Sequence, residues 1–138
     1  GARAREAAAL IQLGRLRLAR GGHESGRDDL IRARDLAREM GRGPLELIAQ
    51  CELAVASHGE VDAALAAFAE HGERIGVESR CRARFLLWRA TGDRAHLAEA
   101  KRLLDFLVEH ACPEYRDSML TNVRLHREIV AAAQAEGI

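Results

Sequence analysis

Little in this chain favours a sheet, a membrane span or a disulfide frame. Proline occurs twice and aromatic residues make up 4% of the sequence. Strands draw on aromatic and β-branched side chains, and helix interiors exclude proline, so this scarcity favours helix over sheet. Charge of one sign is also missing, with 21 basic residues balanced by 21 acidic ones. The chain as a whole therefore lacks the field that nucleic acid or an anionic membrane requires. No apolar run approaches 18 residues and no charged-then-apolar leader is present, so the sequence predicts neither a membrane span nor export. The cysteines, Cys51, Cys81 and Cys112, are odd in number and lie about thirty residues apart, with no pair at zinc spacing. They are expected to be reduced core thiols of a cytoplasmic protein, since buried cysteine behaves as a small hydrophobe. Lysine occurs once, at Lys101, and alanine is abundant, a composition that suggests a GC-rich bacterial genome.

What is present reads as one soluble domain. Of 138 residues, 48% are hydrophobic and 30% charged, and a chain of this length buries about 68–70% of its unfolded surface. It begins Gly1-Ala2 without methionine, which suggests a fragment of something longer.

Apolar periodicity then divides the chain into helices. Ala7, Leu10, Ile11, Gly14 and Leu18 follow one helical face over about 2–20, with Leu13 and Leu16 widening it to touch two neighbours. Gly21-Gly22 supplies the break. Gly26, Leu30, Ala33, Ala37 and Met40 repeat the spacing over about 24–40. Gly26 there permits close helix approach, and Asp28 and Arg32 are placed to pair on the outer face. Pro44 opens a third helix, where its missing donor costs nothing; Ile48, Cys51 and Val55 form its stripe, and His58-Gly59 closes it. A short fourth helix, about 60–71, carries Val61, Ala64, Leu65 and Phe68. The fifth, about 77–91, buries Cys81, Phe85 and Trp88 and is the most basic element. Asp93 is the predicted N-cap of a sixth helix with Leu97, Ala100, Leu104 and Leu107. Pro113 starts a short helix with Tyr115 and Met119, and a last helix, about 123–135, buries Leu125, Ile129 and Ala132.

Gly22, Gly59 and Gly92 fall in the turns of successive hairpins, 37 and 33 residues apart, bracketing the 34-residue period of tetratricopeptide arrays. Leu13-Gly14, followed by Gly26, Leu30 and Ala33, resembles the leucine-glycine pair and the small, large, small triplet of that repeat. Ala64 and Phe68 are similar in the second unit, and Trp88 takes an aromatic place in the third. The tail from Tyr115 to Ile129 is similar to the end of tetratricopeptide regions in large bacterial signalling proteins, among them serine/threonine kinases and ATPase-bearing regulators. The resemblance implies an all-α, right-handed α-solenoid of three helical hairpins, about 2–40, 44–72 and 77–110, plus a capping helix pair at about 113–135. A cap is needed because the last hairpin otherwise exposes an apolar face.

In that family the first helices of successive repeats line a groove, and transferring the register places Gln12, Arg15, Glu46, Gln50, Leu53, Arg82, Leu86 and Arg89 in it. An acidic peptide would meet Arg82 and Arg89 through charge-assisted bonds while its apolar side chains use Leu53 and Leu86. The alternative for the two arginines is ordinary solvated pairing with neighbouring glutamates. Ile11, Arg15, Gln50, Ser79 and Ala83 stand where some family members carry a lysine and asparagine clamp for chaperone C-termini, so that ligand is not implied.

No catalytic constellation is evident. His23-Glu24, His58-Gly59-Glu60 and His71-Gly72-Glu73 sit at helix boundaries, where the two residue types suit opposite dipole ends. His110 and Cys112 lack a third, orienting group. Neither a His-Glu-x-x-His nor a Cys-x-x-Cys motif occurs, and no glycine-rich loop follows a strand. The Arg80–Arg89 run has Trp88 at core spacing, which argues against RNA. The expectation is a protein-interaction scaffold of a bacterial signalling protein, not an enzyme, with no cofactor, metal, nucleic acid, membrane or small-molecule substrate. The second reading is self-association through an exposed hairpin face around Tyr115, Met119 and the last helix. A subunit of a composite enzyme site is the third.

Overall fold

A computed structural model describes residues 1–138. It contains eight α-helices and no strand: α1 Ala2–Ala19, α2 His23–Glu39, α3 Gly43–Ala56, α4 Val61–His71, α5 Val77–Thr91, α6 Arg94–Glu109, α7 Arg116–Asn122 and α8 Arg124–Glu136. The boundaries fall within a residue or two of those drawn from periodicity, except that Pro113–Tyr115 form a 3-10 turn and α7 begins only at Arg116. Asp93 caps α6 as its sequence position predicts, its carboxylate accepting from the Ala95 amide at 2.9 Å. No helix is long and apolar enough to cross a membrane.

The contacts within the chain form two compact units, Gly1–Ile75 and Gly76–Ile138. In the first, α1 packs on α2, α2 on α3 and α3 on α4. The α1–α2 contact depends on two glycines. A Cβ built on Gly14 would lie 2.9 Å from the Gly26 carbonyl oxygen, and one on Gly26 would lie 2.8 Å from that of Gly14. Two helix backbones meet there, as the small residue at position 26 implied. The next helix, α3, is enclosed on all sides: every residue from Leu47 to Ala54 is buried, the pattern of an interior helix rather than an amphipathic surface one.

Several local expectations are corrected in this unit. Leu13 and Leu16 do not reach a second neighbour but stay 39% and 53% exposed, and Leu65 is likewise exposed while Ala64 and Ala67 face inward on α4. Extended backbone at Ser57 ends α3, and His58–Glu60 form a 3-10 turn that leads into α4. Gly59 accordingly lacks the positive φ found at Gly21 and Gly92. Arg32 reaches across to Glu6 of α1 at 4.0 Å rather than pairing with Asp28.

The second unit is built on the α5–α6 hairpin, with α8 against α6 and α7 against α8. Its core is Cys81, Phe85, Leu97, Ala100, Leu103, Leu104 and Ile129, bordered by Trp88, Val108, Leu120 and Leu125. The Phe85 and Trp88 rings lie 5.6 Å apart. Ile129 and Ala133 are the buried residues of α8, and Leu125 and Ala132, predicted to be buried with Ile129, are half-buried against the same core. The final helix therefore packs against the apolar side of α6 within this unit.

Candidate functional site

The eight residues expected to line a groove divide between the two units. In the first unit each polar one is engaged internally. Arg15 donates from Nη1 to Gln12 Oε1 at 3.3 Å and pairs through Nε with Glu52 at 3.0 Å. Glu52 is 7% exposed against 34% for Arg15, so the pair runs from a buried carboxylate to a half-buried cation. Gln50 is itself buried. Its Oε1 accepts from Arg34 at 3.2 Å, and its Nε2 donates to Glu60 Oε2 at 3.0 Å and to the Glu60 carbonyl at 3.3 Å. Arg27 completes the chain on the other Glu60 oxygen at 3.3 Å. Glu46 meets Arg38 at 3.4 Å and His71 at 3.1 Å. Leu53 is fully buried. Of the five positions assigned to this unit, Gln12 alone is exposed. Gln50 and Leu53, expected to face a ligand, instead belong to the interior because α3 has neighbours on every side.

In the second unit Arg82, Leu86 and Arg89 follow one another at spacings of four and three along α5, one face of a helix. Leu86 is 4% exposed and belongs to the core, so it offers no apolar anchor to a ligand. Arg82 is half-buried and Arg89 exposed. Neither enters an ion pair, whereas Arg94, Lys101, Arg102 and Arg124 in the same unit each meet a carboxylate. The ordinary pairing with neighbouring glutamates considered for Arg82 and Arg89 is thus absent.

Another face of α5 meets α6 through polar groups that periodicity did not flag. Arg84 Nη1 lies 3.0 Å from His96 Nδ1. Burial, then the Arg84 charge, holds the His96 pKa below its ordinary 6.5, so the imidazole is kept neutral and accepts from the guanidinium. The Arg102 hydrogen bond, the largest influence, holds Glu99 below the usual carboxylate range, and the charges of Arg102, Arg84 and Arg80 act in the same direction.

Two of the three thiols are buried and held in the protonated form. Burial, with help from Glu52, pushes Cys51 up to about 12. Burial pushes Cys81 to about 11 despite the opposing Arg82 charge, and its Sγ donates to the Ala100 carbonyl at 3.4 Å. Thiolate is the reactive form, so both are inert at neutral pH. Cys112 departs from the expected core placement and is exposed. His110, imagined as its base, turns back onto its own helix, with Nδ1 2.9 Å from the Phe106 carbonyl oxygen and its ring stacked on Phe106 at 4.0 Å.

Sequence reasoning also missed the buried carboxylates Asp29 and Glu52 and the convergence of Glu46, Glu70 and His71. The last of these left a signal. Glu46 follows Pro44 in a first turn and His71 precedes Gly72 in a last turn, and an antiparallel hairpin brings those two ends together. Compared with family models, with curated proteins and with solved structures, the chain finds no match in any of the three.

Proposed function

We propose that the chain is a protein-interaction module of the tetratricopeptide-like α-solenoid type, serving a bacterial signalling protein, and that it binds an acidic peptide or protein segment through the Arg82–Arg89 face of α5. The observation that carries this reading is that those two arginines, half-buried and exposed, meet no carboxylate, whereas Arg94, Lys101, Arg102 and Arg124 of the same unit each do. Seven residues of helix separate them by about 10.5 Å along the axis, a span that two acidic side chains two turns apart on a partner helix also cover. Guanidinium groups bind carboxylates with paired, charge-assisted hydrogen bonds. The groove expected from the family register is narrowed to this face, since Gln50, Leu53 and Leu86 are interior. The chemistry is binding without catalysis.

The test is fluorescence anisotropy with a labelled amphipathic helical peptide carrying glutamates seven residues apart. Wild type is expected to bind with a salt-sensitive affinity, and Arg82→Glu with Arg89→Glu to weaken it roughly ten-fold or more, while Arg3→Glu leaves it unchanged. Equal binding by the double variant would refute the assignment. The second reading, self-association, draws on Tyr115, 60% exposed, with Phe106 and Val123 also exposed in the same unit. Light scattering at two concentrations decides it: a monomer at both removes that reading.

A further inference from the structure

We infer that Glu46, Glu70 and His71 form a binding site for a divalent transition-metal ion, with zinc the best fit. Their three donor atoms all lie within 4.8 Å of one another. His71 Nε2 is 3.1 Å from Glu46 Oε2 and 3.8 Å from Glu70 Oε2. Tetrahedral zinc with bonds of ~2.0–2.2 Å holds neighbouring ligand atoms about 3.4 Å apart, so the two distances bracket the required one. The donors are two carboxylates and an imidazole, a three-ligand set that leaves a fourth position for water. Imidazole disfavours calcium and magnesium, which select oxygen.

The surroundings orient the set. Glu46 Oε1 is held by Arg38 Nε at 3.4 Å, which leaves Oε2 turned to the ring, as outer hydrogen bonds fix ligating carboxylates in metal sites. The ring itself rests on Gly43, where a Cβ would come 2.9 Å from Nδ1; any larger residue would push the imidazole out. Glu46 and His71 are largely shielded, at 12% and 19% side-chain exposure, and Glu70, at 70%, is free to swing onto an ion that arrives from solvent. Glu46 stands in the first turn of α3 and His71 ends α4. A bound ion would therefore clip together the two open ends of this hairpin, closing a loop of 25 residues, and would stabilise the folded unit in proportion to its occupancy. The site lies in the first unit and is independent of the peptide-binding face proposed on α5.

Equilibrium dialysis of the whole chain against zinc, followed by metal analysis, tests the site. A Cys112→Ser background removes the exposed thiol as a competing ligand. One zinc per chain is expected, bound about ten-fold or more weakly by His71→Gln and by Glu46→Gln, more weakly also by Glu70→Gln, and unchanged by His110→Gln. Zinc should raise the melting temperature of the parent protein and not that of His71→Gln. Cobalt should give a visible tetrahedral band that His71→Gln lacks. Glu70 is exposed, so Glu70→Gln keeps its fold even if substitution at position 46 or 71 does not, and far-UV circular dichroism checks this. Absence of zinc from the wild type, or binding that survives Glu70→Gln and His71→Gln undiminished, would show adventitious surface binding only and overturn the assignment.

Discussion

Replacing Gly26 with alanine sets two known effects against each other. Alanine is favoured over glycine in a helix interior by about 0.8–1.0 kcal/mol, so a helix with free space at this position would be stabilised. Here the added Cβ would sit 2.8 Å from the Gly14 carbonyl oxygen, 2.8 Å from Leu18 Cγ and 3.0 Å from the Leu18 amide nitrogen. Two of the three atoms are backbone, which cannot rotate away, so α1 and α2 must separate. Overpacking of this kind costs typically 1–3 kcal/mol, and rigid backbone neighbours place Gly26→Ala near the upper end. Subtracting the propensity gain leaves a net destabilisation of about 1–2 kcal/mol. Gly14→Ala meets one backbone oxygen at 2.9 Å and the fully buried Leu30 side chain, and is expected to cost a similar amount. The double variant should cost less than the sum, because helices already moved apart accommodate the second methyl. Gly59→Ala is the control, with nothing nearer than 3.8 Å to its Cβ, and is expected to be neutral or stabilising. Urea titration with amide exchange read on α1 and α2 reports this unit specifically. A Gly26→Ala protein as stable as wild type would refute the close backbone contact.

Two further outcomes follow from the ionisable groups. His96 has its folded pKa depressed below 6.5, chiefly by burial, so the unfolded chain binds its proton first. Its contribution to stability is present above about pH 6.5 and is lost as pH falls through the depressed folded value. Urea midpoints measured from pH 7.5 to 5 should fall more for wild type than for His96→Gln, and parallel curves would overturn the assignment. Thiol labelling with a disulfide reagent at pH 8 should modify Cys112 alone in the native protein, because Cys51 and Cys81 are buried with pKa values near 12 and 11. Fast labelling of Cys51 would show that α3 is not enclosed.

Much of the local architecture was legible because helix signals act over a few residues. The i, i+3, i+4, i+7 spacing of Ala7, Leu10, Ile11 and Gly14, the proline that opens α3 and the Asp93 cap each specify a boundary or a face without reference to distant parts of the chain. Position 26 was readable for the same reason, since a glycine on an apolar stripe has few uses other than close approach. The charge partners were not readable. Gln50 joins Arg34, Glu60 and Arg27 across three elements, and Arg32 meets Glu6 rather than Asp28. Long side chains on neighbouring helices compete with partners one turn away, and sequence spacing does not rank them.

By itself the sequence determined that the chain is helical, where its helices begin and end, and which face of most of them is apolar. Tertiary structure decided which polar faces remain free. Leu13 and Leu16 stay exposed because α1 has no second neighbour over them, whereas Gln50, Glu52 and Leu53 are interior because α3 is surrounded. The physical reason is that periodicity describes one helix, while burial is a property of everything packed around it. That difference moved the candidate binding face from a groove shared by eight residues to two unpaired arginines on α5, and brought two glutamates and a histidine together where α3 begins and α4 ends.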